Sequence, residues 1–197
     1  MIELFVFRHG ETLWNRATRM QGHTDTELSD LGETQACDLR GVIKDLSLER
    51  VLSSDLRRAR RTAELATQGL SIPLEIHPDL REARFGQLEG LTRDEIIQRE
   101  GEEFWSKWLS VAEEHMDVMA PGGETKRQVL ARIRDFLRSY FERNAGLKRV
   151  GICSHGGVLA RLLHSAEASP SDRLRIENCR IYRLDFIPES GRWIYRG

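Results

Sequence analysis

The sequence predicts an α/β fold: a three-layer α/β/α sandwich around a mainly parallel sheet with an antiparallel edge strand. Three observations predict it. Short apolar runs alternate with amphipathic helical segments, the pattern of a parallel sheet covered on both faces. Two of those runs end in a histidine followed by glycine, at His9-Gly10 and His155-Gly156, and open parallel sheets bind ligands beyond the carboxyl ends of their strands. Near the end of the chain, Cys179 to Ile187 alternates in character and is followed by Arg192 to Tyr195, as in a hairpin added at a sheet edge.

The elements follow in order. Ile2, Leu4, Phe5, Val6 and Phe7 form a buried strand that runs into Arg8-His9-Gly10. Ser29 or Asp30 can cap a helix that places Leu31, Ala36, Leu39, Val42 and Ile43 on one face. Arg50 to Ser53 is a second strand, Asp55 to Leu70 a helix carrying Leu56, Ala59, Ala63 and Ala66, and Leu74 to Ile76 a third strand after the Pro73 break. Thr92 to Arg99 and Glu103 to Val111 read as short helices, and Pro121-Gly122-Gly123 as a turn. The longest helical pattern, Glu124 to Asn144, turns Val129, Ile133, Phe136, Leu137 and Phe141 inward. Lys148 to Cys153 is a fourth strand, and a helix follows Ser154-His155-Gly156-Gly157.

The chain has 197 residues, a length that suits one domain with a sizeable core. It is read as a single unit over 1–197, with an inserted segment at about 92–123 whose stretch Gly101 to Ala120 would form a lid. The charged fraction is 31% and the hydrophobic fraction 40%, a soluble globular balance. A net charge of −1 gives no global pull toward nucleic acid or an anionic membrane. No apolar run is long enough to span a bilayer, and MIELFVFRHGET reads as a strand, not a signal peptide. Cys37, Cys153 and Cys179 are scattered and odd in number. They imply neither a zinc site nor a disulfide framework, and a cytoplasmic location is the simplest expectation.

Three local patterns point to phosphate chemistry. In Arg8-His9-Gly10, a neutral imidazole at a strand end can act as a nucleophile near pH 7, beside a guanidinium whose planar fork suits phosphate oxygens. In Arg57-Arg58-Ala59-Arg60-Arg61, successive residues turn about 100° apart, so the arginines cannot share one ligand. Arg58, near a helix N-terminus, is the candidate, and the others read as solvated charges. At His155-Gly156-Gly157 the glycines let the backbone approach a ligand, and a cationic His155 would neutralise phosphate charge. Each pattern alone has an ordinary structural explanation.

Together the motifs resemble the histidine phosphatase (phosphoglycerate mutase-like) superfamily over nearly the whole chain. The resemblance rests on Arg8-His9-Gly10-Glu11-Thr12-Leu13-Trp14-Asn15, Gln21-Gly22-His23-Thr24-Asp25, Leu28 to Gly32, Ser54 to Ala63, Leu80 to Gly86, Glu89 to Thr92, Pro121 to Thr125 and Ser154 to Val158. It implies that His9 is phosphorylated, that Arg8, Arg58 and His155 clamp the phosphoryl group, and that Asn15 and the Gly156 amide add donors. It implies Glu82 as the proton donor to the leaving oxygen. It also places Gln21, Gly22 and His23 in a loop near the substrate. A carboxyl group beside a phosphate dianion is favoured in its protonated form, which suits that role. Glu11 is expected to orient its loop and Glu89 to cap the helix near Thr92. No metal and no cofactor is expected, because two arginines and a second imidazole can supply the positive charge.

Within the superfamily the expectation is a phosphomonoesterase for a small-molecule phosphate ester, either broad in specificity or similar to the α-ribazole phosphatase branch. Cofactor-dependent mutases resemble this chain but carry an arginine immediately after the acid glutamate; here that position is Ala83. Mutase-type phosphoryl transfer is the alternative, and a non-catalytic phosphate-binding module a second one. Phe104, Trp105, Trp108, Val111, Met116 and Met119 would mainly pack the lid onto the body, with one or two free to meet an apolar leaving group. No nucleic acid or membrane partner is expected, and the hairpin near Tyr182 to Tyr195 leaves a homodimer open.

Overall fold

The computed structural model describes residues 1–169 and 175–197. Four strands run parallel: β1 (Ile2–Arg8), β2 (Arg50–Ser53), β3 (Leu74–Ile76) and β4 (Arg149–Ser154). Beside β1 lie the antiparallel strands β5 (Ile181–Ile187) and β6 (Arg192–Tyr195). The order across the sheet is β3-β2-β4-β1-β5-β6. The expected parallel sheet and C-terminal hairpin are therefore both present, with β6 as the outer strand on that side.

The helices are α1 (Leu13–Arg16), α2 (Asp30–Asp45), α3 (Arg57–Thr67), α4 (Arg93–Glu100), α5 (Glu102–Leu109), α6 (Lys126–Arg143) and α7 (Gly156–His164). The two-residue alternation of β1 explains the layers. Ile2, Leu4 and Val6 join one core cluster with α6, α7 and the α4–α5 region. Phe5 and Phe7 join the other, with Leu39 and Ile43 of α2 and Ala59, Ala63 and Ala66 of α3.

Local capping sets the helix starts. Ser29 accepts the Gly32 N–H at 3.1 Å at the head of α2. At α4 the capping box pairs Thr92 with Glu95, so Glu89 does not cap this helix as expected. Two further expectations fail on α2. Leu31 and Val42 are 47% and 52% exposed. The inward stripe is Gly32, Ala36, Leu39 and Ile43, and residues 31 and 42 each lie one position, about 100°, behind it. Gly32 belongs on the stripe because a Cβ there would meet the Glu11 carbonyl oxygen at 2.0 Å. The head of α2 thus presses directly on the loop after β1.

Candidate active site

Register brings the two histidines together. β1 and β4 are neighbours, with Arg8 opposite Ser154, and the ladder continues from His9 N–H to the Ser154 carbonyl at 3.0 Å. On the other side of β4, the Ser54 N–H donates to the Cys153 carbonyl at 3.0 Å. His9, His155 and Ser54 therefore leave three adjacent strand ends at one level. The imidazole rings of His9 and His155 stand 5.2 Å apart between centroids, tilted by 59°.

The hydrogen bonds orient His9. Its Nδ1 lies 2.7 Å from the Gly10 carbonyl oxygen. A carbonyl only accepts, so Nδ1 carries the hydrogen and the lone pair belongs to Nε2. The Gly10 N–H is held by Thr62 Oγ1 at 3.0 Å, and the His9 carbonyl accepts from Asn178 at 2.7 Å. Gly10 cannot carry a side chain, since a Cβ would meet the Gly32 carbonyl oxygen at 2.4 Å.

Two arginines flank the rings, Arg58 buried and Arg8 partly buried. Arg58 is the one arginine of α3 that is fully buried, and its guanidinium donates to the Thr24 and Gly22 carbonyls at 2.9 and 2.8 Å. Arg57, Arg60 and Arg61 pair with Glu27, Glu64 and Glu33 at the surface. Arg8 donates to the Ile176 carbonyl at 2.9 Å. The Nε atoms of Arg8 and Arg58 and the Nδ1 of His155 are buried without a hydrogen-bond partner among the described residues. Orphaned buried polar atoms are costly, and the two guanidinium groups line the cavity, where an anionic ligand would satisfy them.

Burial is the first cause that sets the charge states. It pulls Arg58 down to about 10, against the attraction of Glu82 and Asp25. Burial, then the Arg58 and Arg8 guanidinium groups, push His9 well below the ordinary histidine value. His155 is pushed down in the same way, by burial, Arg58, His9 and Arg8. A neutral His9 is what a nucleophile requires. Without an anion in the site, burial and the two guanidinium groups favour the neutral form of His155; the cationic form expected at this position needs the negative charge of a bound phosphate to offset them. His155 also stands behind the cavity wall, with its Nε2 2.9 Å from Ser54 Oγ.

Glu82 lies in the loop after a 3₁₀ turn at Pro78–Leu80, which Ser154 Oγ ties to β4 through the Leu80 carbonyl at 2.8 Å. The Glu82 carboxylate accepts the Ala83 N–H at 2.9 Å and the Gly157 N–H at 2.8 Å. It is 6% exposed and faces the same cavity of about 590 Å³ as Arg8, His9, Arg58 and Gly156.

Asn15, Gln21 and Gly22 also line that cavity. Asn15 closes the capping box of α1, accepting from the Thr12 N–H at 3.2 Å. Gln21 accepts from the Thr26 hydroxyl at 2.6 Å. His23 does not line it. Its Nε2 donates to the Glu82 carbonyl at 2.8 Å, so it braces the Glu82 loop from behind. Glu11 accepts from Ser29 and Arg16 at 2.8 Å each, in keeping with a loop-orienting role. Glu89 receives the N–H groups of His23, Thr24 and Phe85 at 2.9 to 3.1 Å. Burial opposes its charge, and these bonds with the Thr24 hydroxyl outweigh burial, holding its pKa below the usual carboxylate value.

A model of the histidine phosphatase superfamily (branch 1) matches residues 4–196. The chain belongs to the histidine phosphatase superfamily. "Probable phosphoglycerate mutase GpmB" of Erwinia tasmaniensis is 34% identical, over 100% of this chain and 90% of the relative. Among solved structures, a mycobacterial glucosyl-3-phosphoglycerate phosphatase in complex with VO3 superposes with a TM-score of 0.82 at 27% identity, covering 100% and 98% of the two chains. An α-ribazole phosphatase from Shigella flexneri gives 0.77 at 26% identity, covering 99% and 95%. Superfamily members are phosphatases or mutases, so this member of the superfamily is an enzyme.

Three residues at this superfamily site escape sequence reasoning. Arg132 of α6 donates to the Arg81 and Glu82 carbonyls at 3.1 and 3.4 Å and so fixes the acid loop. Lys126 and Arg161 line the cavity. Arg161 was within reach of helical spacing, four residues after Gly157 on the same face. Lys126 carries no such signal, because most lysines at a helix start are solvated.

Proposed function

We propose that this enzyme is a metal-independent phosphomonoesterase acting through a phosphohistidine at His9. The observation that supports it best is one cavity carrying a neutral His9, two guanidinium groups and the Glu82 carboxyl group. His9 Nε2 attacks phosphorus as the bond to the leaving oxygen breaks, and Glu82, in its protonated form, gives that oxygen a proton. Water then attacks phosphorus, Glu82 takes the water proton, and the phosphorus–nitrogen bond breaks to release phosphate. Arg8 and Arg58 offset the charge on the equatorial oxygens, the largest contribution in such reactions.

Transfer of the phosphoryl group to a second alcohol, as in a mutase, is favoured by the name of the sequence relative. Against it stands Ala83, directly beside the acid, where mutases of the superfamily carry an arginine. The chain also covers 95% or more of the two phosphatases described above.

One experiment tests the reading. Turnover of p-nitrophenyl phosphate is measured in EDTA, and acid-labile, base-stable phosphoprotein is trapped by rapid quench. Turnover in chelator with label on His9 supports it. Loss of activity in EDTA, or release of phosphate only to an added phosphoglycerate and not to water, overturns it.

A further inference from the structure

Beyond the phosphoryl site the cavity holds two more cations, Lys126 buried and Arg161 largely so. Lys126, at the first position of α6, is 3% exposed. Its ammonium donates to the His115 carbonyl at 2.7 Å and reaches the Lys107 carbonyl at 3.4 Å. Those bonds tie the end of α5 and the turn at Glu113–His115 to α6. They use two of the three ammonium hydrogens, and no carboxylate among the described residues forms an ion pair with it; Asp117, which pairs with Arg127, attracts it only from farther off.

Arg161 has the same character. It lies one turn after Gly157 on α7, and helical side chains lean toward the N-terminus. It therefore reaches back over Gly157, whose added Cβ would meet both Arg161 Nη1 and Glu82 Oε1 at 2.6 Å. Its ion-pair partner is Glu82, at 4.0 Å, beyond a normal hydrogen bond. Arg161 Nε is buried without a partner among the described residues. The other arginines on that side differ: Arg19 pairs with Glu95 at 3.2 Å, Arg93 with Glu102 at 3.4 Å, and Arg175 is exposed to solvent.

We infer that Lys126 and Arg161 form a second anion site, and that the preferred substrate is a phosphate ester whose alcohol portion carries a second negative group, a carboxylate or another phosphate. This rests on the reading of Glu82 as the group beside the leaving oxygen. Glu82 marks the boundary between phosphoryl group and alcohol, and Arg161 stands on its far side. Two cations that repel each other in a dry pocket are destabilising unless a ligand offsets them. Burial and Arg161 together pull Lys126 down to about 8, as expected for a charge that lacks its counter-ion. The apolar lining from Trp105 and Trp108 strengthens any pairing by excluding water.

The test uses equilibrium binding to the His9→Ala protein, so that no turnover is needed. Calorimetric titration compares 3-phosphoglycerate with glycerol 3-phosphate, which share a three-carbon skeleton and differ by a carboxylate against a hydroxymethyl group. The carboxylate ligand is expected to bind about tenfold more tightly or better. Propane-1,3-diyl bisphosphate is the third arm, and the tighter of the two doubly anionic ligands identifies the second group. In Arg161→Gln the ratio falls toward one; in Arg161→Lys it is largely kept. Lys126→Gln supplies an independent reduction should Arg161→Gln not fold. Equal affinities for the first pair in the His9→Ala protein overturn the inference, as does a ratio unchanged by both glutamine variants. If p-nitrophenyl phosphate is turned over while the affinities are equal, the second anion site falls and the phosphatase reading stands. A ratio of ten without turnover has the opposite meaning.

Discussion

The two ends of the cavity are built by different means. At the phosphoryl end, His9, His155 and Ser54 leave three neighbouring strands, and sheet register sets their spacing. A register slip of one residue would reverse every side chain, so this geometry is defended by the whole core. At the leaving-group end the lining comes from helices: Trp105 and Trp108 of α5, Lys126 of α6 and Arg161 of α7. Its aromatic side chains pack mainly on one another, with Trp105 and Trp108 5.7 Å apart and Phe85 edge-on to Trp108 at 5.1 Å. The sheet end can therefore keep one reaction while the helical end is exchanged for another alcohol. The comparison structures, alike in fold and named for different substrates, are consistent with that division.

The comparison breaks most easily at His9. His9→Ala should lower kcat on every ester by about 10⁴-fold or more, as removal of a nucleophile does elsewhere, while the far-ultraviolet circular dichroism stays that of the parent. A loss confined to one class of ester would show that the sheet end is not the common element.

Glu82 stands on the boundary, and its variant sharpens the contrast. Glu82→Gln keeps size and hydrogen-bonding shape but cannot donate the proton. Alkyl phosphates, with poor leaving groups, should lose about 10²-fold or more in kcat/KM. p-Nitrophenyl phosphate, whose phenolate needs little help, should lose far less. Steady-state rates on a series of esters of graded leaving-group acidity give the answer, and an equal loss across the series removes Glu82 from the proton-transfer role.

What was readable from sequence follows the same division. A buried parallel strand writes itself as an unbroken apolar run, and its end as a polar residue with glycine. Hence β1, β4, His9 and His155 were legible, and Arg58 followed from helix position. At the helical end Trp105 and Trp108 were legible as lid residues, but the two cations were not. Arg161 matters because Gly157 leaves it room to reach Glu82, and Lys126 because the turn at residues 113–115 covers it; both are tertiary facts. His23 and Glu89 were misread for a related reason. His23 works through the Glu82 carbonyl, and Glu89 mostly through the His23 and Thr24 N–H groups, all more than 50 residues away, which no local pattern encodes. Leu31 and Val42 were misplaced because an apolar face was drawn too wide; only the stripe that touches the loop after β1 is buried.

The smallest effect concerns charge at the sheet end. With no anion present, burial and the two arginines keep both imidazoles below the ordinary histidine value. An anion nearby favours the protonated form, so the complex holds more protons than the free enzyme wherever the raised value reaches the working pH. The sign follows from linkage: binding that takes up protons tightens as pH falls and weakens as it rises. Sulfate is the suitable probe because it does not itself titrate near neutrality. Its Kd should weaken between pH 5.5 and 7.5 by up to about tenfold per unit, with proton uptake measured by calorimetry in buffers of different ionisation enthalpy. His155→Gln should flatten the dependence. If the slope survives that substitution, the proton enters at another group, and the neutral His9 that a nucleophile requires is the first assignment it unsettles.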